Sequence, residues 1–311
     1  MQYRQLGASS LNVSEISLGS WRTFGTAIEA ETAERCLRQA FDCGINFFDT
    51  ANMYGKGAAE QVLGRLLKAY RRDDYVLATK LYFPMSETDR GLSRAQVLKQ
   101  IDASLKRLGV DHVDLYQCHR HDGETPLKET MEALTEIVRA GKVRYVGFSE
   151  WPAAEIKRAR AIDGVVPFVS SQPRYSMLYR KNERRIFPLC REQGIGQIVW
   201  SPLAQGILTG KYKPGAAAPP GSRGERRSLG RFFRPRVLQA VEKLHPIARD
   251  LSLTLPQLAL AWVLRGEKIS SAIIGATRPD QIEMNCGASG VNLEPAVLQR
   301  IDEVLDQVMR R

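Results

Sequence analysis

Residues 30–80 read AETAERCLRQAFDCGINFFDTANMYGKGAAEQVLGRLLKAYRRDDYVLATK, and the alternation inside this stretch decides the fold. Ala30–Gly44 and Ala58–Tyr70 carry apolar residues at helical spacing, and each is followed by a short β-branched or aromatic run, Ile45–Thr50 and then Tyr75–Lys80. Gly44 falls just past the first helix, where a left-handed cap is wanted. The same unit recurs outward in both directions. EISLGS (15–20) precedes it, and VDLYQCH (113–119), VRYVGFS (143–149), FVSSQ (168–172), GQIVWS (196–201) and SAIIGA (271–276) follow, with amphipathic segments such as 93–109 and 126–141 between them. Eight strands with intervening helices predict a closed (β/α)8 TIM barrel, preceded by a hairpin at Tyr3–Leu6 and Leu11–Ser14. An open doubly wound sheet would need a G-x-G-x-x-G turn after its first strand, and LGSWRTFG (18–25) is not one.

The chain has 311 residues, a length open to one large domain or two modest ones, and no low-complexity linker divides it. The Pro/Gly/Ala stretch KPGAAAPPGSRG (213–224) therefore reads as an extended loop after strand 7 within a single domain, 1–311. With 43% hydrophobic and 25% charged residues the chain can bury a large core under a polar surface. MQYRQLGASSLNVSE holds no apolar leader core and no stretch reaches membrane-spanning length, so a cytoplasmic protein without membrane insertion is expected. Cys36, Cys43, Cys118, Cys190 and Cys286 are scattered and never spaced C-x-x-C, which argues for reduced thiols rather than a disulfide framework or a cysteine metal site. The net charge is +11, and much of it falls in Arg223–Arg236. Such a run suits a solvated loop, a nucleic acid, a membrane surface or an anionic ligand, and its place in the fold decides among them.

In a barrel of this kind the C-terminal strand ends converge on one mouth. Asp49 closes one strand, Tyr54 follows in the next loop, and Lys80 and His119 close the next two. A free phenol, with a pKa of about 10, is a reluctant acid near neutrality. A neighbouring ammonium, Lys80, is expected to lower it, with Asp49 holding that ammonium charged and in position. A neutral His119 would donate a hydrogen bond to a substrate carbonyl, stabilising charge as hydride arrives. No side chain can supply hydride, so a cofactor must.

The motifs FDTANMYGKGAAEQVLG (48–64), DLYQCHRHDGETPLKETMEAL (114–134), GKVRYVGFS (141–149), WSPLAQGILTGKY (200–212) and IIGATRPDQIEMN (273–285), with Lys80 among them, resemble the aldo-keto reductase superfamily over essentially the whole length. GSWRTFG (19–25) and the basic segment look most like the branch containing the potassium-channel β subunits and their bacterial relatives. In that channel branch the histidine position is commonly asparagine, and His119 here favours a working reductase. The resemblance implies Asp49, Tyr54, Lys80 and His119 as the catalytic tetrad and NADPH as cofactor. Ser149 and Gln172 would hold the nicotinamide amide, with Ser20, Trp21 and Asp49 beside it. Trp200, Ser201, Pro202 and Leu203 would take the ribose and diphosphate, with Gln205 and Lys211 nearby. Gly275, Thr277, Arg278, Gln281 and Asn285 match the adenine end, and Arg278 is the cation for a 2′-phosphate. Met284 stands where the family often has glutamate, and His121 where it commonly has proline.

The substrate is expected to be a small carbonyl compound meeting Trp21, Tyr54, Tyr82 and His119, with Phe24, Met53 and Phe83 as further apolar mouth residues. Arg22 and Arg120 suit an anionic one. A homo-oligomer is compatible with the relatives. Two rival readings stand beside the reductase. His119 and His121 form an H-x-H pair of the kind metal hydrolases use, although the remaining histidines, His112 and His245, fall elsewhere. The alternative of another class is a redox-sensing, NADPH-binding subunit of a partner protein with slow reductase activity. No nucleic-acid recognition motif accompanies the basic segment, and no nucleic-acid partner is expected.

Overall fold

The β-branched runs pair side by side because each is too apolar to face water on either side, and only a sheet covered on both faces hides them. The structure is a computed structural model describing residues 1–225, 229–266 and 268–309. The hairpin forms first, β1 (Tyr3–Gln5) antiparallel to β2 (Asn12–Ser14). The barrel strands are β3 (Ile16–Gly19), β4 (Phe47–Asp49), β5 (Val76–Leu81), β6 (Val113–Cys118), β7 (Val143–Phe148), β8 (Phe168–Ser171), β9 (Gly196–Trp200) and β10 (Ser271–Ile274). They close in the order β10-β3-β4-β5-β6-β7-β8-β9, every pair parallel. This is the (β/α)8 barrel that the alternation predicts.

Outside the strands lie α1 (Ala30–Asp42), α2 (Ala58–Leu67), α3 (Arg94–Leu108), α4 (Leu127–Arg139), α5 (Ala153–Arg160) and α6 (Ile186–Glu192). After β9 an extended loop leads to α7 (Pro235–Glu242), α8 (Leu244–Asp250) and α9 (Leu255–Leu264); α10 (Pro279–Cys286) and α11 (Pro295–Met309) follow β10. Their ends are written in the sequence. Ser93 caps α3 by accepting from the Gln96 amide, and Gly109 ends it in the left-handed region at φ 67°. Thr254 and Gln257 form a reciprocal capping box on α9, whose residues are buried all round except Gln257. At Gly64 a Cβ would lie 2.1 Å from the Leu108 carbonyl oxygen, so glycine lets α2 and the end of α3 touch. Among the described residues no helix is long and apolar enough to cross a membrane.

The interior divides in two. The larger apolar cluster fills the space between strands and helices. The smaller one is the barrel floor: Leu6, Leu11 and Val13 of the hairpin region pack on Phe47, Val76, Leu115, Val169, Ile198 and Ile273 from inside the strands. Arg4 fastens the hairpin by donating to the carbonyl oxygens of Leu264, Gly266 and Ile269 and by pairing with Glu15. With the floor plugged, the open end is the C-terminal mouth. All five cysteines are free; Cys36, Cys118 and Cys190 are buried, and Cys43 and Cys286 half-buried.

Candidate active site

The strand-end residues singled out by the sequence meet at that mouth. Asp49 ends β4, Lys80 lies one residue from the end of β5, His119 follows β6, and Tyr54 opens a short 3-10 turn, Tyr54–Gly57. Lys80 is fully buried, and its Nζ donates to Asp49 Oδ2 at 2.6 Å and to the Thr50 carbonyl oxygen at 2.7 Å. The other carboxylate oxygen of Asp49 accepts from Gln172 Nε2 at 2.9 Å and Gln117 Nε2 at 3.4 Å. Both charges are thus compensated where an isolated one would be very costly. Lys80 Nζ stands 5.2 Å from the centroid of the Tyr54 ring. The His119 ring meets that ring edge-on at 5.7 Å, and Phe83 packs on His119 at 4.9 Å.

These surroundings set the protonation states. Burial pulls the Lys80 ammonium below its ordinary pKa, opposed by Asp49. Burial, then the positive charges of Lys80 and Arg120, drives His119 well below the usual imidazole range, so the ring is neutral. Its Nδ1 is buried and, among the described residues, unpartnered. Tyr54 departs from the sequence expectation. Burial and then the Asp49 carboxylate push its phenol well above the ordinary value, opposed by Arg120. Lys80, tied to Asp49, acts on Tyr54 as half of a neutral pair and does not produce a phenolate. The phenol therefore keeps its proton at neutral pH.

Next to this group the mouth carries a polar and aromatic wall. Ser149 and Gln172 are buried beside it, and Ser149 Oγ donates to the Gln172 carbonyl oxygen at 2.8 Å. Gln172 Nε2 is held on Asp49, and among the described residues the carboxamide oxygen accepts no hydrogen bond. Ser20 Oγ donates to Thr50 Oγ1 at 2.7 Å, anchoring the loop that carries Trp21, whose ring meets Trp200 edge-on at 6.4 Å. After β9 the chain turns through Ser201, Ala204, Gln205 and Gly206, all with positive φ. Pro202 and Leu203 lie within this turn, and Lys211 Nζ folds back to 3.4 Å from where a Gly206 Cβ would be. At Gly275 a Cβ would meet nothing closer than Thr23 at 4.0 Å, which leaves an open cradle at the end of β10. Beyond it Gln281 Oε1 accepts from the Thr277 amide, Arg278 is paired with Asp280 at 3.0 Å, and Asn285 is buried.

The left-handed residues mark the same end of the barrel. Among the described residues, every non-glycine with positive φ except Ser252 lies in a loop leaving a strand at the mouth: Arg22, Lys56, Tyr82, Glu150, Ser201, Ala204 and Gln205. Backbone strain of this kind gathers at functional sites.

Several mouth expectations change in detail. Phe24 is buried in the main core at 1% exposure. Tyr82 is half-buried and touches Phe83 edge-on at 5.2 Å. His121 turns away from His119: its ring packs on Trp151 at 5.1 Å and its Nε2 lies 3.4 Å from Glu155, so the two imidazoles do not converge. His112 lies at the opposite end, beside the start of β6, and His245 on α8. Of the basic segment Arg223–Arg236, residues 226–228 lie outside the described residues; Arg223 lies over the Trp21 ring at 5.3 Å and Phe232 under Arg174 at 4.8 Å. Arg223 and Phe232 thus lie against the mouth. Sequence reasoning missed Glu150, whose Oε1 accepts from Trp200 Nε1 at 3.0 Å and from the Arg174 amide at 2.5 Å, clamping the indole. It also missed Gln117, two residues before His119 on the inward face of β6, where the strand period alone points to it.

Fold and site together define a (β/α)8 barrel whose C-terminal mouth joins a compensated lysine–aspartate pair to a protonated phenol and a neutral imidazole. The Aldo/keto reductase family model matches residues 15–306, and the chain belongs to that family. Its chemistry is carbonyl oxidoreduction, generally with a nicotinamide cofactor. The chain is 41% identical to a protein of Arabidopsis thaliana described as a probable voltage-gated potassium channel subunit beta, with 100% of this chain and 98% of the relative covered. A protein of Schizosaccharomyces pombe described as a putative voltage-gated potassium channel subunit beta is 40% identical, over 98% of this chain and 93% of its own length.

Proposed function

We propose that residues 1–311 act as one NADPH-dependent carbonyl reductase domain in which Tyr54 delivers the proton. The observation that carries this reading is the pairing of a phenol held protonated with an imidazole held neutral, side by side at 5.7 Å over the buried Lys80–Asp49 pair. The wall fits a nicotinamide dinucleotide. Ser149 and the free carboxamide oxygen of Gln172 suit the nicotinamide amide, with Trp21 and Trp200 as its apolar boundary. The left-handed turn Ser201–Gly206, with Pro202, Leu203, Gln205 and Lys211, has the shape and charge of an anion-binding loop. Gly275 leaves room for the adenosine half, where Thr277, Gln281 and Asn285 stand. Among the described residues Arg278 is bound only to exposed Asp280, an ion pair worth little in water and easily exchanged for a 2′-phosphate.

When bound, a reduced nicotinamide supplies hydride. The residues here do the rest. His119 donates to the carbonyl oxygen and orients it; Tyr54 gives that oxygen its proton as charge develops, and Arg120 is the cation that opposes the cost of the phenolate left behind. Tyr82 and Trp21 border the substrate.

NADPH and NADH titrated by fluorescence, followed by NADPH oxidation with aromatic aldehydes, test the reading. Tyr54→Phe should lower kcat by about 10²–10⁴-fold while NADPH affinity stays within about twofold; wild-type turnover in that variant would refute the assignment. A second reading is favoured by relatives described as potassium channel beta subunits: NADPH binding that reports redox state to a partner protein. Cofactor binding without turnover, with stable association to a membrane protein, would select it.

A further inference from the structure

The reductase reading leaves the cation beside the His119 imidazole without an assignment toward the substrate. Arg120 follows His119 directly and is half-buried, its guanidinium lying over the Phe83 ring at 5.4 Å. That ring is the one packed on His119. Nη1 donates to the His119 carbonyl oxygen at 2.5 Å and to Ser149 Oγ at 3.3 Å, both uncharged acceptors. Nε and Nη2 make no hydrogen bond among the described residues, and no carboxylate there lies within ion-pairing distance. Its charge is felt by Tyr54, Lys80 and His119 together, so it stands within electrostatic range of the whole reacting group.

The charge count around the reacting group is therefore unbalanced. Asp49 cancels Lys80, His119 and Tyr54 are neutral, the Glu150 carboxylate is committed to Trp200 Nε1 and the Arg174 amide, and Arg120 leaves one positive charge half out of water. Arg22 and Arg223, both over the Trp21 ring at 5.5 Å and 5.3 Å, extend the same sign to the rim. A fixed, partly desolvated guanidinium with two nitrogens uncommitted favours an anion, and a carboxylate can meet it in a fork geometry. Resting on the reductase reading, we infer that this site selects carbonyl substrates that carry a carboxylate, and that Arg120 is the residue that selects them. The phosphates of the cofactor are the other source of negative charge. Arg120 abuts Ser149 and Phe83, on the side of the reacting carbonyl, whereas Lys211 folds over the turn after β9.

The test compares 3- and 4-carboxybenzaldehyde with their methyl esters, with NADPH as reductant. Each reduction consumes one NADPH and one proton, the hydride going to the carbonyl carbon and the proton to its oxygen. For the wild type, at least one acid should exceed its ester about tenfold in kcat/KM at low salt, chiefly through KM. The advantage should shrink as ionic strength rises. In Arg120→Met the acid-to-ester ratio should fall to about one, and Arg120→Lys should recover part of it. A wild-type ratio near one for both isomers would overturn the inference, as would a ratio unchanged in Arg120→Met. So would an Arg120→Met variant whose main defect is weaker NADPH binding at an unchanged ratio, since the anion served would then be the cofactor's phosphate. Failure to reduce either acid or ester would fall on the reductase reading itself. The salt dependence needs no variant.

Discussion

Replacing Lys80 by methionine should destabilise the protein far more than replacing both members of its ion pair. Lys80 has no exposed surface and its partner Asp49 is 4% exposed at the side chain, so Lys80→Met leaves a carboxylate deep in the barrel with its cation gone. Breaking a buried pair this way costs about 3–5 kcal/mol. Two amide donors, Gln172 and Gln117, remain on Asp49, which places the expected loss near the lower end, about 3 kcal/mol. Lys80→Met with Asp49→Asn removes the stranded charge while keeping an acceptor for Gln172. The double variant should recover at least about half of that loss, although reductase activity stays absent in both. Urea unfolding at pH 7 reads these differences as midpoint shifts at constant slope. If Lys80→Met unfolds at the wild-type midpoint, or the double variant is no more stable than the single one, the account of a mutually compensated buried pair is wrong.

Carbonyl reduction should show a flat kcat from about pH 6 to about pH 9 and decline only on the alkaline side, because His119 is held neutral and Tyr54 protonated throughout; a fall near neutrality would contradict the directions of both shifts. Tyr116 has a fully buried hydroxyl without a partner among the described residues, so Tyr116→Phe should stabilise the fold by about 1 kcal/mol in denaturant melts. Burial, then Glu60, raises the Tyr116 pKa in the folded state; the stability that follows is present below about pH 10 and lost above it, so the variant should also resist alkaline unfolding better than the wild type. Gly64→Ala should cost about 2–3 kcal/mol, since its Cβ would press on backbone at Leu108 that has no rotamer to yield, and thermal melts read the loss directly.

How much of this was legible in the sequence depended on whether a residue's role is set by its strand or by its loop. The eight strands were readable because parallel strands buried on both faces need unbroken apolar runs, and the meeting of Asp49, Lys80 and His119 at one mouth because strand ends are fixed once strands are counted. Loop geometry is another matter. Nothing in FSEW (148–151) announces that Glu150 takes a φ of 58° and thereby turns its carboxylate onto Trp200. Phe24 and Trp21 look alike as mouth aromatics, yet the turn after β3 sends Phe24 into the core and Trp21 to Trp200. For Tyr54 the neighbours were correct and the sign was not: adjacency to Lys80 suggested a lowered pKa, whereas the result depends on how completely Asp49 neutralises that ammonium and on how much water is excluded.

The floor of the barrel has a consequence for the order in which the chain can fold. Leu6, Leu11 and Val13 are synthesised long before the last part of the surface they cover, which includes Ile273 of β10, and Ser271 Oγ bonds to the Ser14 carbonyl oxygen across 257 residues of sequence. At about 5–20 residues per second, the plug waits roughly 10–50 s for its socket to be synthesised. During that interval three apolar side chains have no native partner set. Closing the floor is therefore a late step, one that converts an open sheet into a ring, and the nascent chain must be shielded from association until then.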